Sequence, residues 1–127
     1  MSVVLDSWAV LRYLEGAEPA AGAVADLLDE ERPAISWINL GEVFYIIQRL
    51  HGEDQAARTV HDLRAVTAPE LPTPNRVLEA AQIKGVYRMA YADAFAAATA
   101  VALNATLWSG DPELLIQPAR WRWRDLR

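Results

Sequence analysis

Residues 3–14 read VVLDSWAVLRYL, and the fold turns on how that run divides. Val3, Val4 and Leu5 have the branched, apolar character of a buried strand, whereas Ser7 is placed to cap a helix over residues 8–14 that ends near Gly16. Asp6 stands between the two. An ionised carboxylate at the rim of an apolar core is costly unless backbone donors or a cation compensate it. A strand that hands over directly to a helix, with a charge at the junction, is the opening of a βα unit.

The same alternation continues along the chain. A second helix is expected over 20–29, after Pro19, and a short strand over 34–36. In WINLGEVFYIIQRLHG, Leu40, Val43, Phe44, Ile47 and Leu50 recur at helical spacing and Gly52 closes the segment. Residues 53–66 form another helix and 68–71 a weak strand. Thr73 caps the next helix, Pro74 takes its first position and Gly85 ends it. Residues 93–103 are helical and almost wholly apolar, hence buried on most sides, and Asn104 stops them. A strand over 105–108 runs into Ser109-Gly110-Asp111-Pro112, and a short helical turn precedes the strand-like RWRWR. Strands alternating with helices imply parallel pairing through right-handed crossovers, a doubly wound α/β sheet. Ligands of such sheets bind beyond the carboxyl ends of the strands.

Four acids fall toward that edge: Asp6 after the first strand, Glu42 in the first turn of the helix after the second, Asp93 at the start of the buried helix, and Asp111 after the strand from 105. Each has an ordinary explanation. Asn39-Leu40-Gly41-Glu42 fits a capping box with Glu42 at the third helical position. Asp111 before Pro112 suits an N-cap or a turn, and Asp93 complements the positive end of its helix. Asp6 fits least well, because Ser7 already serves as a cap. Four capping acids converging in one cleft would raise one another's pKa and destabilise the fold. A hard divalent cation removes that conflict, and oxygen-only ligands favour Mg²⁺ or Mn²⁺ over Zn²⁺. His51 and His61 read as surface residues.

Composition sets the frame. At 127 residues, with 53% hydrophobic and 23% charged residues, the chain suits one domain over 1–127, burying about two-thirds of its unfolded surface. There is no Cys, so neither disulfides nor a thiolate centre arises. Asp6 interrupts the N-terminal apolar run after three residues, with no basic stretch before it; neither a signal peptide nor a membrane span is expected, and the expected location is the cytoplasm. A net charge of -5 argues against a broad nucleic-acid-coating surface. Local contact is another matter: RWRWRDLR carries four Arg and two Trp. It reads as an edge strand burying Trp121 and Trp123, with Arg120, Arg122 and Arg124 outward and able to touch phosphate.

VVLDSWAVLRYL, INLGEVFY, YADAFAAATA and LWSGDPEL together, in this order over nearly the whole chain, resemble the PIN-domain ribonucleases and, within them, the VapC-type toxins of bacterial toxin-antitoxin systems. The resemblance implies a three-layer α/β sandwich around a central, mostly parallel twisted sheet. It implies hydrolysis of RNA, often tRNA or rRNA, with Mg²⁺ or Mn²⁺ bound by an acidic quartet carried here by Asp6, Glu42, Asp93 and Asp111. Ser7, Asn39 and Ser109 match polar positions that flank the quartet, while Trp8 and Trp37 stand where relatives often have smaller residues. A cognate antitoxin and pairing into homodimers are implied as well. Two signalling or phosphatase patterns fit less well: neither paired acids nor Asp-x-Asp follows the first strand, and the only Lys is Lys84, in mid-chain. The more serious rival is a catalytically silent PIN-like module that binds a partner.

Overall fold

Val3, Val4 and Leu5 are all buried, the pattern of a strand covered on both faces, and they form β1 (Val3–Leu5) of a computed structural model that describes residues 2–127. The chain continues through α1 (Ser7–Glu15), α2 (Ala20–Glu30), β2 (Ala34–Ser36), α3 (Trp37–His51), α4 (Glu53–Val66) and β3 (Ala68–Glu70). It ends with α5 (Pro74–Val86), α6 (Tyr91–Ala102), β4 (Thr106–Ser109) and β5 (Arg122–Asp125). The five strands lie in the order β3-β2-β1-β4-β5, and every pairing is parallel.

Side-chain alternation divides the core into two layers. Val3 and Leu5 pack with Val10, Val24, Leu40, Val43, Ile47 and Leu63 on the face covered by α1 to α4. Val4 and Leu107 pack with Ile83, Phe95 and Trp121 on the face covered by α5 and α6. The result is the expected three-layer α/β sandwich. From β1 the chain winds outward through β2 and β3, then returns to β4 on the other side of β1. The sheet therefore reverses its winding between β1 and β4, and the crevice beyond their carboxyl ends is where such folds place ligands.

Several local expectations change. Asp6, not Ser7, is the N-cap of α1: its Oδ1 accepts from Ala9 N at 2.8 Å, and Ser7 is already helical. The helix of WINLGEVFY begins at Trp37 with Ser36 as its cap, so Asn39 is its third residue and Glu42 its sixth, and no capping box exists there. The strand residue Ser36 supplies the side-chain acceptor from one turn earlier, which frees both for other work. Gly85 does not end α5, which runs to Val86 with Tyr87 as its C-cap; Gly85 takes no left-handed conformation. α6 starts at Tyr91, and residues 112–114 are turns rather than helix. Thr73 with Pro74, Gly16 in the left-handed region and Gly52 act as the sequence predicts.

Candidate functional site

The four acids reach the β1/β4 crevice from four different elements. Asp6 follows β1 and is 1% exposed. Both of its oxygens are engaged: Oδ1 by Ala9 N and Oδ2 by the Ser109 hydroxyl at the end of β4. Ser109 Oγ in turn accepts from Asp111 N at 2.9 Å, and Asp111 Oδ1 accepts from Glu113 N at 2.9 Å. One hydroxyl thus joins the first acid to the turn that carries the last. Asp93 lies in the first turn of α6 and Glu42 in the second turn of α3, both half-buried.

Electrostatics shows that the four belong to one cluster. Burial pushes the Asp6 carboxyl up to about 7 against the pull of its Ser109 and Ala9 hydrogen bonds, and the charges of Asp111 and Glu42 push it the same way. Burial, then the charges of Asp111, Asp6 and Glu42, and a hydrogen bond with Asp111, raise Asp93 to about 8. The charges of Asp111 and Glu42 thus act on both Asp6 and Asp93, and that of Asp6 acts on Asp93. Among the described residues, however, no three acidic or histidine side chains close into a ready-made cation cage. The donor set still fits a hard divalent ion, being all oxygen and short of compensating positive charge, and it suits an ion that keeps part of its water shell. One buried oxygen near Glu42 in sequence, Asn39 Oδ1, has no hydrogen-bond partner among the described residues.

The flanking polar residues form a second tier. Asn39 Nδ2 donates to Ser7 Oγ at 3.1 Å and to Ala92 O at 3.1 Å, and Ser7 Oγ donates to Asn39 O at 3.3 Å. Trp8 closes one side. An ideal Cβ on Gly110 would stand 2.3 Å from the Trp8 ring, so the indole lies against the backbone of the Ser109–Asp111 turn. Arg12 stacks over that ring at 4.8 Å and pairs with Glu15 at 3.2 Å.

The C-terminal arginines do not gather at the acids. Arg122 pairs in register with Thr106, at the start of β4, and its guanidinium binds Asn104 Oδ1 and O at 3.0 and 2.8 Å, away from the edge that carries Ser109. Arg124 stacks over Trp108 at 4.3 Å, and Arg120 is exposed. Trp121 is buried and donates to Leu114 O at 3.0 Å, and half-buried Trp123 donates to Ile116 O at 2.8 Å, so the indoles anchor the C-terminal segment as expected of an edge strand. His51 and His61 are exposed. Two contacts were hidden from the sequence: the Trp8–Gly110 packing, whose only signal is a Gly between two polar site residues, and the reach of Asn39 to a backbone carbonyl, which leaves no sequence signal.

The PIN domain family model matches residues 3–118. No curated protein matches the sequence. Among solved structures, the chain is similar to VapBC2 of Rickettsia felis bound to a promoter DNA fragment, with 16% identity, a TM-score of 0.77 and 100% of both chains covered. It is also similar to VapBC-1 of nontypeable Haemophilus influenzae, with 22% identity, a TM-score of 0.74 and 99% and 98% coverage of this chain and that one. A third is Mycobacterium tuberculosis VapC20, a sarcin-ricin loop cleaving toxin, with 16% identity, a TM-score of 0.73 and coverage of 89% and 92%. With the family model spanning both β1 and β4 and all four acids between its limits, the chain belongs to the PIN domain family.

Proposed function

We propose that this chain is a divalent-cation-dependent endoribonuclease of the VapC toxin type, which hydrolyses RNA phosphodiester bonds and is held in check by a cognate antitoxin. The observation that carries the reading is the convergence of Asp6, Glu42, Asp93 and Asp111 on one crevice, where burial and mutual charge raise Asp6 and Asp93 far above ordinary carboxyls. Such an arrangement is unfavourable for an inert fold and is relieved by a cation. RNA as substrate draws support from the likeness to VapC20, and an antitoxin partner from the likeness to toxins within VapBC complexes. A tRNA or rRNA target, a homodimer and a cytoplasmic location belong to the same proposal. Among the described residues no helix is long and apolar enough to cross a membrane.

Asp6, Asp93, Glu42 and Asp111 would hold Mg²⁺ or Mn²⁺, in part through water. When bound, the ion lowers the pKa of a coordinated water and offsets charge developing on the phosphate. The chain's own residues prepare for that. The Ser109 hydroxyl favours the ionised form of Asp6. Asp93 keeps its proton to higher pH because of burial and the Asp111 charge beside it. Trp8 packs on Gly110 and so braces the Asp111 turn from that side. Arg12, stacked on Trp8, is one cation suited to a phosphate flanking the cut. Arg120 and Arg124 are also available to the RNA backbone; Arg122 is committed to Asn104.

The silent partner-binding alternative draws on the lack of a closed carboxylate cage among the described residues. Incubation of antitoxin-free protein with total RNA and Mg²⁺, beside an EDTA control, separates the two. Discrete fragments that require the ion are expected. RNA left intact under both conditions supports the silent module.

A further inference from the structure

We infer that Asn39 is the positioning residue of the acidic cluster: its amide ties the starts of α1 and α6 to the first turn of α3 and so sets the spacing of Asp6, Asp93 and Glu42. The inference rests on the reading of that cluster as a cation site.

The geometry is specific. Asn39 is fully buried. One Nδ2 hydrogen goes to Ser7 Oγ and the other to Ala92 O, both at 3.1 Å, while Ser7 Oγ returns a hydrogen bond to Asn39 O at 3.3 Å. Ser7 is the neighbour of Asp6, Ala92 is the neighbour of Asp93, and Glu42 follows Asn39 by one helical turn. Two of the four acids thus adjoin a residue held by this single amide, and a third lies one helical turn from Asn39 itself. Its orientation is fixed, because a backbone carbonyl can only accept and the nitrogen must face Ala92 O.

Oδ1 is then left buried without a donor from the chain. A buried amide acceptor left unsatisfied costs about 1–3 kcal/mol, and a residue serving only to link helices has no reason to carry that cost. A divalent ion that keeps part of its hydration would offer O–H donors to such an acceptor. Groups that orient carboxylate ligands in this way typically govern ion affinity by about 10–100-fold.

Mn²⁺ affinity, read by electron paramagnetic resonance on the full chain beside a circular-dichroism melt, separates this role from a link that only supports the fold. Asn39→Leu is expected to bind Mn²⁺ about 10–100-fold more weakly than the parent while still folded at the assay temperature. Ser7→Ala, which loses one arm of the tie and keeps the Ala92 contact, is expected to weaken binding by a smaller factor. A folded Asn39→Leu protein with parental affinity overturns the inference. If Asn39→Leu does not fold, Ser7→Ala decides, and parental affinity in that variant overturns it equally. A parent that binds no Mn²⁺ overturns the cation reading and the inference with it.

Discussion

Ser109 donates its hydroxyl proton to Asp6 across 103 residues of chain and, through the same oxygen, accepts from Asp111 N. The carboxyl ends of β1 and β4 are thereby joined by one side chain at the point where the sheet reverses its winding. That bond favours the ionised form of Asp6, in opposition to burial.

Removing the Ser109 hydroxyl should therefore raise Asp6 further. If cleavage needs Asp6 ionised, Ser109→Ala shifts the acid limb of the pH–rate profile to higher pH and lowers activity most below neutrality. The measurement is the rate of RNA cleavage from pH 5.5 to 8.5 for parent and variant. Superimposable profiles would show that the hydroxyl does not act through Asp6.

Stability of the metal-free protein should fall as pH rises. Asp6 and Asp93 have folded-state pKa values of about 7 and about 8, above the ordinary 3.8. A carboxyl raised on folding binds its proton more tightly in the native state. Its contribution is fully present below the unfolded pKa and is lost as pH climbs through the folded value. In EDTA the melting temperature is expected to drop by roughly 5 °C or more between pH 5.5 and 8.5. Mg²⁺ at pH 8.5 should restore most of it. A flat profile would contradict the clustering of these acids.

Glu42→Gln separates charge from structure. Glu42 is the sixth residue of α3, past the cap made by Ser36, so the amide should leave apo melting unchanged or slightly higher as repulsion is relieved. A neutral amide neither attracts a divalent ion nor replaces a carboxylate ligand. Cleavage should fall by a factor on the order of 100 or more. A variant that cleaves normally would reduce the functional acids to three.

The contact between Trp8 and Gly110 predicts a coupled pair. A methyl on Gly110 meets the indole at 2.3 Å, so Gly110→Ala should destabilise the protein by about 1–3 kcal/mol and disturb the Asp111 turn. In a Trp8→Ala background the same substitution should cost much less. Denaturant melts of the two single variants and the double give the coupling; strictly additive effects would rule it out.

Much of this was legible in the chain because its signals are local. VVL before an acid, the periodicity of residues 37–51 and the Thr73-Pro74 cap each record a backbone preference that burial only reinforces. The four acids stand out in the sequence because each follows or closely flanks a strand or helix boundary in a parallel fold. Adjacent polar residues were harder to separate. Ser7 and Asp6 are both good caps, and only the extended backbone at Asp6 gives it the role. Asn39 reads as a cap for the same reason, but Ser36 one turn earlier takes that position and leaves the amide free to span two helices. Arg120, Arg122 and Arg124 look alike in sequence; what distinguishes them is register, which puts Arg122 beside Thr106 and Asn104.

The central claim is that Asp6, Glu42, Asp93 and Asp111 together form a divalent-cation site, and calorimetric titration of Mn²⁺ into the metal-free protein at pH 6.5 tests it most directly. Burial and neighbouring charge raise Asp6 to about 7 and Asp93 to about 8, so binding should release protons, read from the dependence of the heat on buffer ionisation enthalpy. Asp6→Asn should abolish or greatly weaken the binding without loss of fold, since Asn also caps a helix. Parental protein that takes up no Mn²⁺, or an Asp6→Asn variant that binds it with parental affinity and the same proton release, would contradict the account.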